Sequence, residues 1–259
     1  MAPPSGPNHA ATLRSCGRVT DRGGSMDERP KNGRSLKSFD LLENPFSVLG
    51  IEPSASLEKI ADAFDDALAD GTAPESDLAA AREALVSPRQ RTTAELSLLL
   101  DTHPREVAAI YAALRQGSSP ADLVRVADRL APLSKANLLA HISSQQPTNA
   151  NLLFALVDAH ARIDPTTVHA KLESTRKAAG IVIPSIDNVR DELHELFSSH
   201  AKAALAGYPS SKASASPVEE CTKRILVSAD SDRIDALEGL VRAFGQRALN
   251  FEISPPSSA

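Results

Sequence analysis

Aromatic side chains make up only 3% of the 259 residues, and tryptophan is absent. A core must therefore come from Leu, Ala, Val and Ile. The alternation of β-branched and aromatic residues that marks strands is nearly missing, while Ala and Leu are strong helix formers. An all-α fold is the consequence. Cysteines number two, Cys16 and Cys221, and their separation indicates neither a disulfide framework nor a zinc site. No apolar run approaches the roughly 20 residues that a membrane-spanning helix needs. An excess of positive charge is also lacking, since 28 Lys and Arg stand against 33 Asp and Glu and the pI is ≈ 5.8. Nucleic-acid-binding domains typically exceed a pI of about 9, so neither a nucleic acid nor a membrane is expected as partner. The default location is cytoplasmic.

The patterns of catalysis are missing as well. Beyond the N-terminal tail glycines stand singly at or within helices, so there is no phosphate cradle, and no Gly-x-Ser-x-Gly elbow or His-Glu-x-x-His helix occurs. Beyond the N-terminal tail the histidines are His103, His141, His160, His169, His194 and His200. His194 and His200 do not fall on adjacent turns of one helical face, and the six read as ordinary surface or boundary residues. Asp65 and Asp66 are neighbours, and neighbours in a helix point about 100° apart, which prevents them from sharing a proton. No catalytic residue, metal ligand or cofactor is expected, and the chain does not read as an enzyme.

Residues 1–39 are dominated by Pro, Gly, Ser, Asn and Arg and are expected to be a disordered tail. Arg14, Arg18 and Arg22 have presequence character, but Pro3, Pro4, Pro7, Gly23 and Gly24 would break its helix. Translation starting at Met26 is the simpler account. Residues 40–102 predict a short helical entry, NPFSVLGI, and a helix under a Ser54/Ser56 cap that carries Ile60, Ala63, Phe64 and Ala67. Gly71 ends that helix. A second, capped by Ser76 or Asp77, carries Leu78, Ala81 and Leu85, and Pro88 forces a kink or restart. Arg82, Arg89 and Arg91 are expected to pair, solvated, with the Asp-rich first helix.

Residues 103–206 read as an irregular antiparallel helical array. Starts are expected at Pro104, at Ser119-Pro120, at Ser134 and at Asp164-Pro165, with ends at Gly117 and Gly180. Gly180-Ile181-Val182-Ile183-Pro184 reads as a buried connector. Residues 207–216 read as a linker and 217–251 as a C-terminal helical hairpin burying Ile225, Leu226, Ile234, Leu237, Val241, Phe244 and Leu249. A disordered tail, 252–259, completes the chain.

The entry NPFSVLGI resembles the Tyr-Tyr-x-x-Leu-Gly-Leu start of the J domain of DnaJ-type co-chaperones, and ALVSPRQR resembles its A-x-x-x-L-S-D-P-x-x-R block. ENPFSVLGI, LVSPRQRTTAEL, SKANLLAHI and ALVDAHARIDPTTVHAKLESTRKAAG extend the likeness to a bacterial J-domain-like group that lacks the family's His-Pro-Asp tripeptide. The resemblance implies a J-like helical hairpin at 40–102. It places the tripeptide's slot at Thr72, Ala73 and Pro74, where His-Pro-Asp is replaced.

The helix before that slot is basic in the family, where it docks a DnaK-class chaperone. Here it carries Asp62, Asp65, Asp66 and Asp70 against a single Lys59. The expectation is a non-catalytic protein working through protein–protein binding, as a chaperone-associated adaptor or regulator. Its partner would be a DnaK-class chaperone or a true J protein, and the four aspartates are the candidate partner-binding face. The alternative is a helical scaffold with no chaperone link.

Overall fold

Helix follows helix from Leu41 to Glu252, and no strand occurs among the described residues. The computed structural model describes residues 39–146, 149–206, 216–228 and 231–252; the expected tails apart from Phe39 and Glu252, most of the expected linker, and residues 147–148 and 229–230 lie outside these. Phe39, expected in the disordered tail, packs against the core instead, and Glu252 ends the last helix. After a 3-10 turn at Leu41–Glu43 come α1 (Pro45–Leu49), α2 (Leu57–Asp70), α3 (Glu75–Val86), α4 (Pro88–Leu96), α5 (Pro104–Arg115) and α6 (Pro120–Ala127). Then follow α7 (Pro132–Gln145), α8 (Ala150–Ala161), α9 (Pro165–Ala179), α10 (Ile186–Ala206), α11 (Ser216–Ser228) and α12 (Ser231–Glu252).

Proline is what punctuates this all-helical chain. The helices α1, α4, α5, α6, α7 and α9 each begin on one. At that position the missing N–H costs no hydrogen bond and the fixed φ suits the first turn. Ser56, Ser119 and Asp164 cap α2, α6 and α9 as their sequence contexts imply. Two expected caps are displaced. Pro74 precedes α3, which starts at Glu75 without a side-chain cap, so neither Ser76 nor Asp77 fills that role. Likewise Pro132 starts α7 ahead of Ser134, which is buried inside the helix.

The apolar interior has three parts. Phe46 and Leu49 of α1, Ile60 and Ala67 of α2, Leu78, Ala81 and Leu85 of α3, and Ala94 and Leu98 form a local cluster. A larger one joins α5–α8 to α10–α12, with Leu138, Leu139, Leu152, Leu153 and Leu156 at its centre. The third holds Leu96, Leu133, Val168, Leu172, Val189 and Leu196, from α4, α7, α9 and α10.

Helix α4 lies where these parts meet, and its inward face is polar. Arg91, Thr92 and Glu95 are buried with Ala94 and Leu96. Arg91 Nε donates to Glu95 Oε1 at 2.9 Å, and its Nη2 donates to the Pro53 and Ala55 carbonyls at 2.8 and 2.9 Å. From α9, Arg176 Nε donates to Glu95 Oε2 at 2.9 Å, Nη1 to the Val182 carbonyl at 2.7 Å and Nη2 to the Thr92 hydroxyl at 2.8 Å. Two guanidinium groups thus share one carboxylate, and the backbone carbonyls meet the excess positive charge.

The carbonyls near the end of α4 are satisfied from elsewhere in the fold. Asn44 Nδ2 donates to Ala94 O at 2.8 Å, and Asn137 Nδ2 of α7 donates to Leu96 O at 2.8 Å and Leu98 O at 2.7 Å. These are groups that a helix terminus leaves without intrahelical partners.

The arginine expectation is therefore corrected. Arg91 is sealed in the interior, Arg89 pairs with Glu192 of α10 at 2.6 Å, and Arg82 lies over the Phe64 ring at 5.0 Å. None of the three pairs with the α2 aspartates. The connector 181–184 is corrected too: Val182 is 73% exposed, and Arg176 holds the segment through a carbonyl rather than through apolar packing.

In the C-terminal pair, Val218, Cys221, Ile225, Leu237, Leu240 and Ala243 face inward, while Leu226, Ile234 and Val241 are exposed. The buried stripe is set by close approach: a Cβ placed on Gly239 would lie 2.3 Å from the Phe197 ring of α10. The Leu249 side chain lies outside the described residues.

Candidate functional site

Helices α2 and α3 pack against each other through Ile60, Ala67, Leu78, Ala81 and Leu85, joined by residues 71–74. Gly71 adopts φ 61°, the left-handed conformation that glycine reaches at least cost. Thr72 turns back onto α2, its N–H and hydroxyl both donating to Ala67 O, at 3.2 and 3.3 Å. Ala73 packs against the local apolar cluster, and the Pro74 carbonyl accepts from Asp77 N and Leu78 N at 2.9 and 3.1 Å. All three residues of the slot thus close the loop. None brings an imidazole or carboxylate to its surface.

Asp62, Asp65, Asp66 and Asp70 are all exposed. Among the described residues none of the four takes part in an ion pair or side-chain hydrogen bond. Asp62–Asp66 and Asp66–Asp70 are i,i+4 pairs of like charge, unfavourable by a few tenths of a kcal/mol each. Asp70 also sits in the last turn of α2, where no basic residue offsets it; the negative end of the helix dipole disfavours a carboxylate there. The face is predominantly acidic, with Lys59 the single basic residue of its helix, and that helix is anchored by Ile60 and Ala67.

Comparison with protein-family models, with curated proteins and with solved structures finds no match for this chain.

His103, His160, His169 and His194 are exposed or half-buried as expected, whereas His141 and His200 depart from that placement. His200 is fully buried and His141 nearly so. His160 Nε2 lies 3.0 Å from His200 Nδ1, so one ring carries the shared hydrogen and the other presents its lone pair. Phe197 packs edge-on against His160, and Phe39 edge-on against His200. Burial drives the pKa of His200 down to about 3. His160 is held well below its ordinary value by burial and then by His200. His141 is lowered by burial, partly offset by Asp40 at 3.2 Å.

His160 opens onto a cleft of about 640 Å³ that also takes in His194, Asp164, Asp232 and Asp235. Among the described residues no three His, Cys, Asp or Glu side chains converge as a metal site. Asp164 is occupied as a cap, its carboxyl lowered by the Thr167 hydroxyl and the backbone N–H groups of Thr166 and Thr167. The sequence carries no signal for the His160–His200 contact, which joins α8 to α10 across 40 positions.

Proposed function

We propose that this chain is a non-catalytic, J-like adaptor or regulator that acts by binding another protein, a DnaK-class chaperone or a true J protein. The observation that carries the reading is the unpaired acidic face of Asp62, Asp65, Asp66 and Asp70, displayed on one arm of the α2–α3 hairpin. A predominantly acidic surface attracts a basic partner and sets the rate and register of association. Its attraction weakens as salt screens it. The loop at Thr72, Ala73 and Pro74 lacks the His-Pro-Asp groups, and in the J-like reading it leaves ATP hydrolysis unstimulated.

Affinity purification of the full chain, with ATP and ADP compared, tests this directly. Nucleotide-dependent recovery of a DnaK-class chaperone, or recovery of a true J protein, supports the reading. The triple variant Asp62→Asn, Asp65→Asn, Asp66→Asn is expected to stay folded and to lose that capture. Retained capture at low ionic strength removes the acidic face from the account, and stimulated ATPase activity equal to that of an authentic J protein removes the non-catalytic assignment.

One observation favours a second reading, a helical scaffold with no chaperone link. The Arg91–Glu95–Arg176 network ties the first four helices into α9, which suits a rigid body better than a free docking module. Purification that yields a partner unrelated to chaperones, insensitive to nucleotide, selects this alternative.

A further inference from the structure

We propose that the crevice between α1 and α5 is a binding site for a small apolar monocarboxylic acid, with Arg115 holding the carboxylate at its mouth. The crevice encloses about 510 Å³, within the ~300–1,000 Å³ range of ligand pockets. Its walls are mainly apolar, supplied by Phe46, Ile51, Leu99, Leu100, Val107 and Ala108. The Thr102 hydroxyl in the lining is buried without a hydrogen-bond partner, and the Tyr111 hydroxyl is buried with Ser47 beside it. Tyr111 is only 8% exposed. A buried hydroxyl left unpaired is unfavourable, and Thr102 and Tyr111 both belong to the crevice lining. Burial raises the Tyr111 phenol above its ordinary value, opposed by a hydrogen bond with the Ser47 side chain and by the Arg115 charge and reinforced by Asp40, so it stays protonated at neutral pH.

Charge narrows the ligand class. The Arg115 guanidinium lies 5.9 Å over the Tyr111 ring and, among the described residues, is in no ion pair. A carboxylate suits its planar donor fork. Among the described residues Glu52 is the one acidic side chain lining the crevice, and it makes no ion pair with Arg115. Its charge opposes a second negative group, so a monoanion fits better than a phosphate ester or dicarboxylate. The site is separate from the acidic face of α2 and stands or falls independently of the adaptor reading.

Calorimetric titration of the full chain with sodium decanoate, kept below its micelle concentration, tests the proposal. Saturable one-to-one binding and a raised melting temperature are expected. Decanol, with the same tail and no charge, is expected to bind about ten-fold more weakly, and Arg115→Gln to weaken decanoate by a similar factor. Ala108 is an exposed residue of the crevice wall; Ala108→Trp fills the space and is expected to abolish binding. Should that variant fail to fold, the decanoate-to-decanol ratio in Arg115→Gln decides. Absence of saturable binding, binding unchanged in folded Ala108→Trp, or equal affinity for decanoate and decanol overturns the proposal.

Discussion

Arg176 Nε reaches Glu95 Oε2 at 2.9 Å across 81 positions of sequence, with both side chains almost wholly removed from solvent. Glu95 is also bonded to Arg91, so cations from α4 and α9 share a single carboxylate. Glu95→Gln keeps the shape and removes the charge, leaving two buried guanidinium groups without their counter-ion. Breaking a buried pair in this way costs about 3–5 kcal/mol. Urea denaturation should show that loss for Glu95→Gln. The double variant with Arg176→Met should lose less than the sum of the two single variants, because the sites share one interaction. Additive losses would mean that the network is not a unit.

Leu85 has no exposed surface and packs in the cluster between α2 and α3. Leu85→Ala is expected to destabilise the fold by about 2–5 kcal/mol, as cavity-forming core substitutions do. A melting curve superimposable on that of the wild type would refute the packing of the hairpin.

The paired histidines give the stability a pH dependence of defined sign. His200 has a folded-state pKa of about 3 against about 6.5 in an unfolded chain. Between those values the unfolded state binds the extra proton, so stability is complete above about pH 6.5 and declines as pH falls toward 3. At pH 5 the loss from His200 alone is about 2 kcal/mol. His160 and His141 shift in the same direction. Melting measured from pH 8 to pH 4.5 should show the decline, and a flat profile would contradict the buried placement.

Gly239 is required for space. Its Cα approaches Phe197 so closely that an added Cβ would lie 2.3 and 2.6 Å from two ring carbons. Gly239→Ala should therefore destabilise the packing of α12 on α10 by about 1–3 kcal/mol, the usual effect of overpacking. Phe197→Leu should relieve most of that penalty when the two are combined, measured as a double-variant cycle of urea midpoints.

What the sequence disclosed is what local chemistry writes. Pro104, Pro120 and Pro165 mark helix starts and Gly71, Gly117 and Gly180 adopt positive φ, because these residues restrict or free the backbone by themselves. Ile60, Leu78 and Leu85 followed from spacing. Helix α4 escaped because its buried face reads Arg91, Thr92 and Glu95, a pattern that hydrophobic periodicity assigns to solvent. Only Arg176, far along the chain, turns those charges into interior groups. The C-terminal pair was misread for a different reason. Apolar residues occupy both sides of α12, and the choice between them depends on Gly239 meeting Phe197, a tertiary contact.

The polar face of α4 also governs where this chain can be divided. A cut after residue 102 would strip Arg176 from Glu95, remove the Asn137 amide from the Leu96 and Leu98 carbonyls, and bare Leu96. The first hundred residues are consequently not portable. Grafted elsewhere, the α2–α3 hairpin would have to bring α7 and α9 with it, or have Arg91 and Glu95 rewritten as apolar residues before it could stand alone.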